Sequence, residues 1–227
     1  MSPIQVVTLA DREPYSSMSL DMERVIRSLG LGFHCETTAH GERPWQAKRF
    51  ALREAFNRNS SRTYWIDADY ILTDPEMAAR FLVDRRPGLH CSRLNPGANN
   101  NPIKSVRDWG TRPNQAGADR NEEIYRACLA ENGLASSTHF GGSIVGYFIE
   151  PGVGLELCSI WDSIAHKLQE NSTTWTEEIS IGIAADALKI PIIPDLGNFK
   201  EQGFQHLRLG YSNGYFLSTP LPINQGT

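Results

Sequence analysis

Apolar positions along the chain switch between a period of two and a period near 3.6. Residues 4–9, with Ile4, Val6, Val7 and Leu9, form a short β-rich run. Residues 19–29 place Leu20, Met22, Val25, Ile26 and Leu29 close to helical spacing, and Gly30 and Gly32 end that helix. A second strand is predicted over 33–37. A helix follows over 44–56, with Pro44 in its first turn and Trp45, Ala47, Phe50, Ala51, Leu52, Ala55 and Phe56 as its apolar positions. Strands are predicted over 63–67 and 89–94, and a helix over 75–83 with Asp74 as N-cap.

The pattern then breaks. Residues 95–121 are rich in Asn, Pro, Gly and Arg, with only Ile103, Val106 and Trp109 to bury. So long an irregular stretch inside a compact domain reads as a functional loop or disorder. A helix over 122–132, a strand over 143–149, helices over 153–168 and 177–188 and a buried strand over 190–194 follow. Beyond Gly210 the chain is a Gly, Ser, Asn and Pro-rich tail carrying Tyr211, Tyr215 and Phe216. Strands alternating with helices predict an α/β protein, a three-layer α/β/α sandwich on a mostly parallel sheet. Without repeats or a linker, residues 1–227 read as one domain.

Composition narrows the picture. At 227 residues, with 40 % apolar and 21 % charged residues, this is ordinary globular material. The net charge of −4 gives no expectation of a nucleic-acid or anionic-membrane partner. No apolar run approaches the ~20 residues of a membrane span. The start lacks a basic segment followed by a long apolar core, so a cytoplasmic location is expected. Cys35, Cys91, Cys128 and Cys158 are scattered without metal-ligand spacing and read as reduced thiols in or near the core.

The sharpest chemical signal is Trp65-Ile66-Asp67-Ala68-Asp69. In extended backbone, positions i and i+2 project to the same side, so Asp67 and Asp69 are expected to converge. Two carboxylates at the end of a buried strand are costly unless a cation lies between them. A hard divalent ion, Mn²⁺ or Mg²⁺, suits such oxygen ligands and commonly holds a diphosphate. The plainer account makes Asp67 a strand end and Asp69 the opening of a turn.

Four segments together resemble the nucleotide-sugar-dependent glycosyltransferases of the GT-A fold, and within them enzymes like those of glycosyltransferase family 8. They are Thr8-Leu9-Ala10-Asp11 with Tyr15, the helix from Lys48 feeding Asp67-Ala68-Asp69, Phe140-Gly141-Gly142-Ser143-Ile144, and Trp175-Thr176-Glu177-Glu178 with the later Pro191-Ile192-Ile193-Pro194. The resemblance implies a donor-nucleotide half over about 1–94, an acceptor and catalytic half over about 122–210, and a tail over 211–227. It implies that Ala10, Asp11 and Tyr15 meet the nucleoside, and that Asp67, Ala68 and Asp69 carry the metal and diphosphate. His206 completes the metal shell in some such enzymes. Gly141, Gly142 and Ser143 would touch the sugar or acceptor, and Lys48 a sugar or phosphate. Arg49 reads more simply as a solvated charge on a helix face. Glu177 or Glu178 would take the proton from the acceptor hydroxyl. Adjacent helical positions point about 100° apart, so at most one faces the cleft. As plain first-turn residues both acids would suit the helix dipole.

The loop over 95–121, with Arg93 just before it and Lys104, Arg107, Trp109, Arg112 and Arg120, reads either as a segment that closes over the diphosphate or as plain disorder before substrate binds. The expected partners are a nucleotide-sugar donor, a UDP-sugar foremost, and an unidentified acceptor, with the aromatic tail available for a homo-oligomer. Two other readings stand beside this one. A sugar-nucleotide nucleotidyltransferase shares the fold, but Ala10-Asp11-Arg12-Glu13-Pro14 offers no glycine-rich phosphate loop. A nucleotide-sugar-binding protein of the same fold, without turnover, is the other.

Overall fold

The computed structural model describes residues 4–38, 44–94, 103–108, 115–173, 175–207, 211–212 and 215–216. The chain opens with β1 (Gln5–Leu9), α1 (Tyr15–Ser28), β2 (Gly32–Glu36), α2 (Pro44–Asn57) and β3 (Thr63–Ile66). Next come β4 (Tyr70–Leu72), α3 (Pro75–Phe81), β5 (Gly88–His90), β6 (Arg93–Leu94) and α4 (Ile103–Asp108). Then follow α5 (Gln115–Glu131), β7 (Phe140–Gly141), β8 (Ile144–Phe148), α6 (Pro151–Glu170), α7 (Glu177–Ala187) and β9 (Ile192–Ile193). A 3-10 turn (Phe199–Gln202) leads to β10 (Phe204–His206). Of the tail, Tyr211–Ser212 and Tyr215–Phe216 are described, as β11 and β12 paired antiparallel.

Among the described residues six strands form the central sheet, in the order β2-β1-β3-β8-β5-β9. The β1–β2, β1–β3 and β5–β9 pairings are parallel, whereas β8 is antiparallel to both β3 and β5. Every strand of the sheet except β8 therefore runs the same way, and the protein is α/β with a mostly parallel sheet.

Strand alternation divides the core between the two faces of that sheet. Val7, Leu9, Trp65, Val145 and Tyr147 pack with Phe56 of α2, Trp161 of α6 and Ile181 of α7 on one face. Val6, Tyr64, Ile66, Ile144 and Phe148 pack with Met22 and Ile26 of α1 and Phe81 of α3 on the other. All four residues of β3 and all five of β8 are buried, as befits strands covered on both sides. An outer cluster joins Tyr125 and Cys128 of α5 to Ile164 of α6 and to Trp175 and Ile183. Helix α3 starts as its sequence demands: Asp74 accepts from Met77 N at 2.9 Å and Pro75 takes the first position.

Two expected boundaries move. Helix α1 begins at Tyr15, so Tyr15 belongs to a helix and not to a loop. Part of the stretch expected to be irregular is helical, since α4 covers Ile103–Asp108 and α5 starts at Gln115 rather than at residue 122. Asn121 explains the difference. It is buried, and its Nδ2 donates to Val106 O at 3.0 Å, so a residue that spells loop instead clamps α4 to α5.

Candidate functional site at the C-terminal edge of the sheet

Strands running the same way deliver the segments that follow them to one edge, where ligands of open α/β sheets bind. Here these are residues 10–11 after β1, 67–69 after β3 and 92–93 after β5. Strand β8 runs the other way and brings the segment before it, residues 141–143, to the same edge.

At Asp67 extended backbone ends. Asp67 N donates to Ser143 O at 3.0 Å, and the chain turns at once, with Tyr70 N donating to Asp67 O at 3.1 Å. The i, i+2 rule therefore does not carry from Asp67 to Asp69, and the two carboxylates take different partners. Asp67 Oδ1 accepts from Trp65 Nε1 at 2.7 Å and lies 2.7 Å from Lys48 Nζ. Buried Asp69 faces His206 instead, with Nε2 at 2.9 Å from Oδ2. Among the described residues no three His, Cys, Asp or Glu side chains converge as a metal site would require. The donor types still fit a hard divalent ion. Two carboxylates stand on one turn, and an imidazole nitrogen is already directed at one of them.

His206 arrives through a strand pair that the sequence pattern did not reveal. Strand β10 pairs antiparallel with β4 and sets His206 opposite Tyr70. The two rings stack with centroids 4.6 Å apart and planes 4° apart. Leu207 N then donates to Asp69 O at 2.9 Å. Burial pushes the Tyr70 phenol up to about 12, against the pull of the Ser143 hydroxyl beside it.

On the other side of Asp67, Lys48 reaches out of α2, 5.1 Å above the Trp65 ring, and pairs with both Asp67 and Glu177. Burial alone would depress its ammonium, but the charges of Asp67, Glu177 and Glu178 hold it well above its ordinary range. Glu177 is buried, and that burial, then the neighbouring Glu178 charge, pushes its carboxyl up to about 8 against the pull of Lys48. Half-buried Glu178 is raised as well, chiefly by desolvation. Of the two acids it is Glu177 that turns to the Asp67 side. No side-chain cap bond is made by Thr176, the residue before α7, and Thr174 lies outside the described residues.

The N-terminus of α7 is held by a buried network. Gln46 Nε2 donates to Trp175 O at 3.0 Å, Trp161 Nε1 donates to Gln46 Oε1, and Trp175 Nε1 donates to Ser180 Oγ at 3.0 Å. Further along, α7 presses so closely on residue 138 that a Cβ at Gly182 would overlap the Thr138 carbonyl. Arg49, expected as a solvated charge, is buried and bonds Asp162 of α6 at 2.8 Å, away from the edge.

Ala10, Tyr15 and Ala68 come together, but as a small apolar cluster with Met18 and Leu207 that joins the end of β1 to the 67–69 turn. Tyr15 is buried there. Asp11 stands at the edge with both carboxylate oxygens bonded to the Arg12 guanidinium, at 3.0 and 2.6 Å. Gly141 pairs with Arg93 in the β6–β7 ladder, and its carbonyl accepts from Ser92 Oγ at 2.6 Å. A Cβ at Gly142 would come within 3.0 Å of the Ile144 carbonyl oxygen, so the glycine serves a close passage of chain.

The described residues of the basic loop take other places. Arg107 is spent on Asp119 and Glu122 of α5, at 2.8 and 2.6 Å, and Arg120 is exposed on that helix. Trp109, Arg112 and the Lys104 side chain lie outside the described residues.

Two contributors escaped the sequence reading, the side chains of Trp65 and Tyr70, while Arg93, expected to act with the basic loop, stands in the β6–β7 ladder. For Trp65 a signal existed, because strand alternation aims it to the same side as Asp67. No described helix is long and apolar enough to cross a membrane. In comparison with known proteins, no family model matches the chain, and neither does any curated protein.

Proposed function

We propose that this chain is a metal-dependent glycosyltransferase, moving a sugar from a nucleotide-diphosphate sugar, a UDP-sugar foremost, to an acceptor hydroxyl. One observation carries the reading. At the edge where such sheets bind ligands, Lys48 from α2 pairs with Asp67 and with Glu177 from the first turn of α7, and His206 from β10 bonds Asp69 two positions further along the same turn.

Asp67, Asp69 and His206 would hold Mn²⁺ or Mg²⁺. When bound, that ion neutralises charge on the departing diphosphate. Asp11, past the end of β1, would contact the nucleoside. Glu177 is the proton acceptor: the acceptor oxygen bonds the anomeric carbon, the carbon–diphosphate oxygen bond breaks, and the hydroxyl proton passes to the Glu177 carboxylate. A carboxyl raised to about 8 is matched to proton transfer near neutral pH. Lys48, paired with the same carboxyl, opposes that rise and favours its ionised form.

A melting-temperature screen of UDP-, GDP-, CMP- and dTDP-sugars, with and without Mn²⁺, tests the reading. The expected result is a metal-dependent rise for one nucleotide class that disappears in Asp69→Ala. No rise for any nucleotide sugar in demonstrably folded protein would sink it.

A further inference from the structure

Next to the carboxylate turn, on the β5–β9 side of the edge, lies a cleft of about 620 Å³. That volume suits a ligand of one or two rings. Its floor is aromatic. Tyr70 and Phe204 are buried beneath it, Phe199 meets Tyr70 edge-on at 6.0 Å, and His206 continues the surface as a ring stacked on Tyr70. Its rim is polar, with Arg93 and Gln205 exposed.

The charge of the lining is one-sided. Among the described residues no aspartate or glutamate lines the cleft, and Arg93 is its one permanently charged side chain. The Arg93 guanidinium has no carboxylate partner among the described residues, in a chain whose net charge is −4. Its place is fixed by the β6–β7 pairing, which lays it against Gly141 so closely that a Cβ there would stand 3.2 Å from Arg93 Nε. His206 belongs to both places. Its ring walls the cleft while its Nε2 bonds Asp69, so a molecule in the cleft lies beside the carboxylates.

We infer that this cleft is a second ligand subsite, taking a ring-bearing acceptor, such as a saccharide, that carries a carboxylate or phosphate held by Arg93. The ring lies against the partly exposed His206 ring, which Tyr70 backs from beneath, as flat apolar faces do. The anion takes the guanidinium fork, which matches the paired oxygens of either group. As an acceptor site the assignment rests on the transferase reading, but the binding site itself does not.

The test measures binding alone, without metal or nucleotide, by calorimetry or protein-observed NMR. Glucose 6-phosphate and glucuronate are the anionic probes and glucose the neutral one. One anion or both are expected to bind about tenfold or more tighter than glucose, the effect of one charge-assisted contact. The stronger of the two identifies the acceptor's anion. Arg93→Gln, with its fold checked by circular dichroism, is expected to erase the preference. Gln205→Glu, an exposed change that sets a negative charge on the rim, is expected to weaken the anions more than glucose. Equal binding of glucose and the anions, binding of neither anion, or a preference that survives both substitutions overturns the inference. Because no nucleotide is present, that failure leaves the transferase proposal standing. Loss of nucleotide-sugar binding at Asp69 would in turn leave the cleft intact.

Discussion

Lys48 Nζ and Asp67 Oδ1 lie 2.7 Å apart, and the same ammonium pairs with Glu177 across 129 residues of sequence. With side chains only 13 % and 8 % exposed, Lys48 and Glu177 form a buried pair whose members depend on each other. At a pH well above 8, where Glu177 carries its charge, Lys48→Met leaves two carboxylates facing one another without a cation. The expected loss, read from urea unfolding, is about 3–5 kcal/mol, the cost of removing one partner of a buried pair. Adding Glu177→Gln to Lys48→Met is expected to restore part of it. Equal loss in the single and double variants would show that the charge is not the cause.

Glu177 also makes stability depend on pH. Its carboxyl ordinarily titrates at 4.5 and in the folded chain is raised to about 8. Between those values the folded protein keeps a proton that the unfolded chain has released. The group's contribution is therefore present at acid pH and fades as pH rises through about 8. Lys48, raised well above 10.5, stays charged throughout this window. The stability of the wild type relative to Glu177→Gln should fall between about pH 5 and about pH 9. A flat difference in denaturant midpoints across that range would contradict the assignment.

Most of the sheet was legible in the chain, because β1, β3 and β8 are apolar runs bounded by clear breaks. Asp74-Pro75 announced α3 just as openly. What misled was polar residues with buried work. Asn121 reads as loop and is a helix–helix clamp, and Arg49 reads as solvated yet bonds Asp162 beneath the surface. The carboxylate turn was found, but its geometry was mistaken, since extended backbone stops at Ile66. Strands β4 and β10, three residues each, were too short to declare a period, so the route that brings His206 to Asp69 stayed hidden.

That route gives a metal prediction. His206→Ala removes an imidazole and leaves the acids in place. If the ion is held by Asp69 and His206 together, Mn²⁺ binding by calorimetry or electron paramagnetic resonance should weaken roughly 10–100-fold. Unchanged affinity would assign His206 to the cleft wall alone.

Gly182 offers a check on how α7 is seated. Alanine there sets a methyl group into the Thr138 carbonyl, and overpacking of this kind costs about 1–3 kcal/mol or more. Chemical denaturation should register that loss. A neutral outcome would mean that α7 can slide.

Strand β8, the one reversed member of the sheet, decides how the edge is wired. A sheet with all its strands in one direction offers its ligand edge only departing chain. Here an incoming segment, residues 140–143, is knitted to the departing one by the bond from Asp67 N to Ser143 O. Directly upstream, Thr138 is fastened to Asp186 of α7 through its amide and its hydroxyl. The carboxylate turn, the paired glycines and the helix that carries Glu177 are thus links of a single chain of custody, and a displacement imposed on any one of them is handed on to the other two.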